Sequence, residues 1–439
     1  MMKRTIPPTP AQQMDSHRSA RCYHRIVQEV AGDQRRIGVG VLVLAVVLVP
    51  GLLTAGCYYS SSTFTPPMSC DPGNPVCPPG TTCSAEGSCE SSGGPDDGAG
   101  SGTGGAGSDA AVCFGTAPFR VCLAAAPTQP LSISQRTIDT DDTADPSNCA
   151  PTVSGSFGCV LAGTTITVEA TLRASGTRPL VLIASETITI MKTGSIDVGS
   201  HRGATREVGA GADPMDCAPG QSAEHGGGGA GGSFVGLGGT GGTGFDGSAS
   251  GGTPGPVTDA SKLRGGCAGQ DTPDPIATPV RGGHGGGAVL LIAQSISVDG
   301  AINAAGEGGE GGPTSAGGGG GGSGGMIVLD APMITSNGLI LASGGGGGGG
   351  SSTDSTSTHT GNPGADPSAV PAAAGGTGGP NGGGRGGNGS SATTAKGGNG
   401  SNGITNADGS GRGGGGGGGA GIVKAPAALG SQVSLAPTP

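Results

Sequence analysis

Few residues in this chain have both the type and the spacing for chemistry. Gly321-Gly322-Ser323-Gly324-Gly325 fits the GxSxG pattern of a nucleophile elbow, where a strained turn offers a serine to an acid–base pair. It lies inside a glycine run with no such pair placed to serve it, so Ser323 reads as structural. Asp246 sits in a stretch close to the calcium-binding nonapeptide, but the large apolar position holds Ser248 and the motif is not iterated. His225 and His284 lie in Gly-rich tracts, outside any HExxH pair, and read as solvated loop residues. The many GxGxxG matches arise from glycine runs, and none ends in GK[ST], so no dinucleotide or phosphate loop is indicated. Glu186, Lys192, Asp197, Asp299 and Asp330 are the candidates for acid–base work on a glycan, which uses carboxylates flanking the scissile bond. They do not recur in register, and no aromatic ring follows Phe245 to stack on a sugar. No catalytic, cofactor-binding or metal-binding residue is therefore assigned.

Cysteine is the other reactive type. Of 12 Cys, Cys22 and Cys57 stand apart and ten remain: Cys70, Cys77, Cys83, Cys89, Cys113, Cys122, Cys149, Cys159, Cys217 and Cys267. An even count without CxxC pairs reads as disulfides in an oxidising compartment rather than as a zinc site. Four Cys in residues 70–89 allow three connectivities, and spacing alone does not choose among them. A Cys217–Cys267 bridge would close a loop inside one long insertion.

Export is written into the first 57 residues. Arg35 and Arg36 precede an apolar run from Ile37 to Leu53, which ends in Leu53-Thr54-Ala55-Gly56-Cys57. This resembles the bacterial lipoprotein signal, in which small residues precede a cysteine that is acylated and becomes residue one. The usual large aliphatic residue three places before the cysteine is here Thr54. An uncleaved membrane anchor and ordinary secretion are the alternatives, and all three place the remainder outside the cytoplasm. Charge changes at the same point: residues 1–56 hold 7 Lys/Arg and 3 Asp/Glu, and the remainder holds 14 and 28. An acidic exported part lacks the basic footprint of a nucleic-acid binder.

Composition sets the architecture. The chain of 439 residues contains 100 Gly, no Trp and only nine Tyr and Phe, so it cannot build an ordinary aromatic-rich core throughout. The expected segments are a leader at 1–56, a tether at 57–69, a Cys-rich mini-module at 70–89, a Gly/Ser linker at 90–110 and a Cys-containing cap at 111–160. Beyond them, residues 288–306 and 326–344 align without gaps at an offset of 38, with Leu291/Leu329, Ile296/Ile334, Gly300/Gly338 and Ile302/Ile340 identical. Residues 166–176, 180–198 and 421–436 match the same unit in part. Each unit holds three short Ile/Val/Leu-rich segments, and a short recurring three-strand unit must stack to bury its apolar edge. The expectation is an all-β chain, a parallel β-helix (solenoid) over 161–439 with long Gly-rich insertions at 200–287, 307–325 and 345–420. The repeat resembles the pectate-lyase-like right-handed parallel β-helix, and Gly-rich bacterial surface lipoproteins that carry it. A β-sandwich is the structural alternative.

The 345–420 insertion contains 31 Gly and only Val370 and Ile404 as large aliphatics. Ordering costs about 1–2 kcal/mol per residue, so disorder is the default expectation, with a bundle of hydrogen-bonded polyglycine helices as its rival. The resemblance implies a non-enzymatic envelope or surface lipoprotein with a structural or adhesive role. Its expected partners are the membrane, through the lipid, and an extracellular matrix or glycan; self-association is open, and no nucleic acid or cofactor is expected. The alternative is a carbohydrate-active β-helix enzyme. Mass spectrometry of the mature N-terminus is expected to return an acylated Cys57 as residue one; an unmodified or earlier N-terminus would exclude the anchor.

Overall fold

The computed structural model describes residues 81–83, 89–91, 111–142, 149–150, 152, 158–203, 205–273, 279–354, 357–368, 371–406, 409–426 and 433–434. The leader, the tether, Cys57, Cys70 and Cys77 lie outside the described residues. Two compact units divide the chain, Met1–Gly104 and Gly105–Pro439. In the first, Thr81–Cys83 and Cys89–Ser91 pair antiparallel, with Cys83 opposite Cys89.

The second unit is almost entirely strand and extended chain; its one described helical element is the single 3-10 turn Phe245–Gly247. Among the described residues no helix is long and apolar enough to cross a membrane. Three parallel ladders run through it. The first joins the leading halves of Cys159–Val168 and Leu180–Ile190 to Ala288–Ile292, Met326–Asp330 and Ile422–Lys424. The second joins Leu131–Ile133, the trailing halves of the same two long strands, Ser295–Val298 and Met333–Ser336. The third runs from Arg136–Asp139 through Thr171–Ser175, Ser195–Asp197, Ala301–Asn303 and Leu339–Leu341 to Val433–Ser434.

The 38-residue offset is the register itself: Ala288 faces Met326, Ile296 faces Ile334 and Ile302 faces Ile340. The earlier unit is longer. Its offset to the next falls from 109 at Leu180↔Val289 to 108 at Thr187↔Ser295 and 106 at Ser195↔Ala301, so extra residues sit at the two corners between its segments. Leu131–Ile133 and Arg136–Asp139 add a still earlier pair of segments, which residue identity alone did not reveal.

Alternation along each strand decides what is buried. Ile166, Leu172, Ile188, Ile196, Ile296, Ile302 and Ile340 point into one aliphatic core and are at most 1% exposed. Burying each such side chain contributes about 1.5–3 kcal/mol. On the outer face of the second ladder, hydroxyls line up across strands: Thr165, Thr187 and Ser295 in one row, Thr167, Thr189, Ser297 and Thr335 in the next. The first ladder is buried on both faces, as its unbroken apolar strands require. Its outer side packs with Phe119, Val121 and Leu123 of the Cys113–Cys122 hairpin and with Phe234, Ala260 and Leu263 of the first insertion.

The insertions are ordered, which overturns the expectation of disorder for the described part of 345–420. Donors in 411–421 show the rule. The N–H groups of Gly413, Gly416 and Gly419 reach the carbonyls of Gly226, Gly229 and Gly232. Those of Gly414, Gly417 and Ala420 reach Ser401, Gly398 and Ala395, and those of Gly415, Gly418 and Gly421 reach Gly348, Gly345 and Ala342. Three neighbours are served in strict rotation, which is the threefold repeat of an extended polyproline-II-type chain. The segment 317–325 donates to three neighbours (Gly413, Gln270 and Glu310, for example) and accepts from three more (Gly229, Gly283 and Gly348). Six bonded neighbours around one chain make a lattice. A Cβ on Gly320 would fall on the Ala230 carbonyl oxygen, so only glycine fits there. Apolar side chains are not needed to offset the ordering cost here, because backbone donors of these segments find acceptors on neighbouring segments.

At the lattice edge one residue in three is free to carry a side chain. Thr240 and Thr243, Asn399 and Asn402, Arg281 and His284, and Glu307 and Glu310 are all three apart, on one side of a threefold chain. Asn399 and Asn402 use theirs to accept the Thr240 and Thr243 N–H groups at 3.1 and 3.0 Å. The Cys217–Cys267 bridge closes the first insertion, and Arg264 beside it lies over the Phe234 ring at 5.2 Å and donates to both sulfurs at 3.2 Å. Gly320→Ala is expected to cost about 3 kcal/mol, by the overpacking mechanism, in urea unfolding. Thr240→Ala, at the edge, is expected to stay within about 0.5 kcal/mol; equal effects would refute the lattice.

Candidate functional site

Two clusters of charged side chains are built on this frame. The first stands on the outer face of the third ladder, where Arg173, Asp197 and Asn303 occupy adjacent strands at one register position. Asp197 Oδ1 meets Arg173 Nη1 at 3.1 Å and accepts from Asn303 Nδ2 at 3.0 Å and from the Gly199 N–H at 3.1 Å. His201 Nε2 lies 2.9 Å from Oδ2, and Glu207 reaches Arg173 Nε at 3.3 Å. Burial alone would raise the Asp197 pKa; the His201 hydrogen bond and the Arg173 charge outweigh it and hold the carboxyl below its ordinary range. The same bond to Asp197 raises His201, against the opposing effect of burial. Asp197 thus holds the ladder and the start of the first insertion together.

The other sequence candidates are dispersed. Asp330 Oδ2 accepts the Thr116 N–H and hydroxyl at 2.6 and 3.0 Å, which ties the Cys113–Cys122 hairpin to the first ladder. Asp299 accepts from Asn337 Nδ2 at 2.9 Å. Glu186 lies at the bend within Leu180–Ile190 and Lys192 just beyond it. Asp197, Asp299 and Asp330 therefore each hold a different local partner. Ser323 is fully buried, accepting the Cys267 N–H at 2.8 Å and donating to the Cys267 carbonyl at 3.2 Å. It is a lattice staple. The Asp246 side chain lies outside the described residues. Cys149 pairs with Cys159, alongside Cys113–Cys122 and Cys217–Cys267. Among the described residues no group of three His, Cys, Asp or Glu is placed to hold a metal.

The second cluster lines a cleft of 570 Å³ in the lattice edge, formed by Arg206, Asp213, Ser222, Asp271, Arg281 and His284 together with Ala268, Gln270 and glycine backbone. Its supports are rigid. Arg206 is clamped by Glu307 through two 2.7 Å bonds, Nε to Oε1 and Nη2 to Oε2, and the Glu307 side chain is completely buried. Burial works against the Arg206 charge; Glu307 more than offsets it and keeps the guanidinium above its ordinary value. Glu307 Oε2 also accepts the His284 N–H at 3.0 Å. Asp213 holds the His284 ring, Oδ2 to Nδ1 at 2.6 Å, while its Oδ1 accepts the Gly285 N–H at 2.9 Å. Asp213 has φ of 50°, a left-handed conformation rare for a residue with a Cβ. His225 is exposed, as expected of a loop residue, but His284 is half-buried and paired.

The cleft is not legible in the sequence because Arg206 and Glu307 are 101 residues apart and Glu307 is isolated among glycines. The legible signal was the three-residue spacing in Arg281-Gly-Gly-His284 and Glu307-Gly-Gly-Glu310. A third group resembles a catalytic triad in composition only. Ser357 Oγ and Asp354 Oδ2 both approach His359 Nε2, at 3.1 and 3.0 Å, so the acid does not orient the base from its other nitrogen. Comparisons with family models, with curated proteins and with solved structures find no match.

The pH dependence of the first cluster follows from its two shifts. Asp197 contributes fully above 3.8, and its contribution is lost as pH falls through its lower folded value. His201 contributes fully below 6.5, and its contribution is lost as pH rises through its higher folded value. Urea unfolding across pH is expected to show the wild type losing more stability than His201→Asn as pH rises above 6.5. Parallel curves for the two proteins would refute the pairing.

Proposed function

We propose that this chain is a non-enzymatic, exported cell-envelope lipoprotein with a structural or adhesive role. On this reading the three ladders are the faces of a right-handed parallel β-helix, and the insertions leave and re-enter at one corner of it. The 38-residue register between successive strands supports the solenoid.

The observation that carries the role is the glycine lattice. Three insertions, separated by strand units, converge on one slab in which the backbone does most of the bonding and the larger polar side chains stand at the rim. Such a slab is held by its backbone on all sides. It suits a body that must hold its shape outside the cell and present a polar edge. The described disulfides fit an oxidising compartment. The Arg35-Arg36 and Ile37–Leu53 signal, with Cys57 as the lipidation site, supplies the membrane partner. A matrix glycan is the expected external partner, and stacking of copies is open to the ends of the ladders.

A carbohydrate-active enzyme remains the competing reading. Incubation of the purified protein with a panel of plant and bacterial polysaccharides is expected to release no reducing ends. Cells lacking the protein are expected to lose retention on a polysaccharide matrix. Measurable depolymerisation, or unchanged retention, would overturn the proposal.

A further inference from the structure

We infer that the 570 Å³ cleft at the lattice edge is a binding site for a neutral saccharide, recognised through its hydroxyl groups. The inference deepens the adhesive reading and rests on it for the glycan partner. Three observations point to this ligand class. First, the cleft offers unoccupied donors and acceptors side by side. Arg206 binds Glu307 and the Gly282 carbonyl through Nε and Nη2, which leaves Nη1 without a hydrogen-bond partner among the described residues. His284 is held through Nδ1, which leaves Nε2. Asp271 accepts the Gly282 N–H through Oδ1, which leaves Oδ2. The guanidinium of Arg281 and the hydroxyl of Ser222 complete the set. A sugar hydroxyl both donates and accepts, so a ring with adjacent hydroxyls can satisfy such a mixed lining.

Second, the charge disfavours anions. Arg206 and Arg281 are outnumbered by the carboxylates of Glu307, Asp213, Asp271 and Glu310 around them. A net anion would meet an acidic surround here and a cation the two guanidinium groups, whereas a neutral polyol meets neither repulsion. Third, the lining is preorganised. Two of its side chains are fixed by carboxylates that are themselves buried or bonded to backbone, and Arg281 and His284 project from one side of a threefold chain locked into the lattice. Little ordering is left for the ligand to impose, which is the condition for useful affinity from hydrogen bonds alone. The size falls within the range of small-ligand sites, about 300–1,000 Å³. The lining has no aromatic ring, so binding is expected to be weak, with Kd on the order of 1 mM.

The test is isothermal titration of the full mature protein. The neutral probes are cellotriose, maltotriose and galactotriose; the charged probes are trigalacturonate and inorganic phosphate. At least one neutral trisaccharide is expected to bind, and neither charged probe is expected to bind more tightly. Arg281→Ala, an exposed position, is expected to weaken binding about tenfold. Ser222→Trp, also exposed, is expected to abolish it by filling the cleft, with circular dichroism and the unfolding midpoint unchanged. Absence of binding by every neutral probe, preference for a charged one, or full binding by both variants would overturn the proposal. The two readings separate in cells. If strains carrying Arg281→Ala or Ser222→Trp adhere like wild type while strains lacking the protein do not, the adhesive role stands and the cleft proposal falls.

Discussion

The described structure depends on one constraint, the satisfaction of backbone N–H and C=O groups between extended chains in three directions at once. A β-sheet satisfies them in one plane and leaves its faces to side chains. The glycine segments satisfy them around a threefold axis, so each chain bonds to neighbours on all sides. That arrangement leaves no volume for a Cβ in the interior, which is why the segment 317–325 is glycine at every position but Ser323. The serine is tolerated because its hydroxyl takes over two backbone partners at Cys267.

The two halves of the second unit solve the same problem by opposite means. In the ladders, Ile and Leu at alternate positions fill an aliphatic core, and the strands are short because each unit contributes only three. In the lattice large apolar side chains are few, and cohesion comes from the number of bonded backbone groups. The join between them is apolar. The outer face of the first ladder packs against Phe234 and Leu263, and Arg264 sits over the Phe234 ring beside the Cys217–Cys267 bridge. Aromatic residues are scarce in this chain, and two of the six phenylalanines, Phe119 and Phe234, are buried at this seam.

The lattice also explains how a polar cleft can be rigid without a conventional core beneath it. Side chains three residues apart on an edge chain inherit the stiffness of the chain. The buried Glu307 then fixes Arg206, and Asp213 in a left-handed conformation fixes His284. The Asp197 cluster uses the same resources differently: its groups close on one another, so it serves to staple ladder to insertion.

The sequence by itself determined the strand units between 288 and 344 and their register. A gapless offset of 38 with identities at Ile296/Ile334 and Ile302/Ile340 is a direct statement of which residues lie side by side, because period-two alternation permits no one-residue slip. It also marked the points where the chain leaves the ladders. Cysteine parity anticipated disulfides, including Cys217–Cys267. Only the tertiary structure decided the state of the insertions and the identity of the cleft. A glycine run reads the same whether it is solvated or locked among six neighbours, since the difference lies in partners as far as 187 residues away, such as Gly226 for Gly413, rather than in local propensity. For the same reason Arg206, Glu307, Asp213 and His284 read as isolated polar residues in low-complexity sequence, and became a site only when the lattice set them against one another.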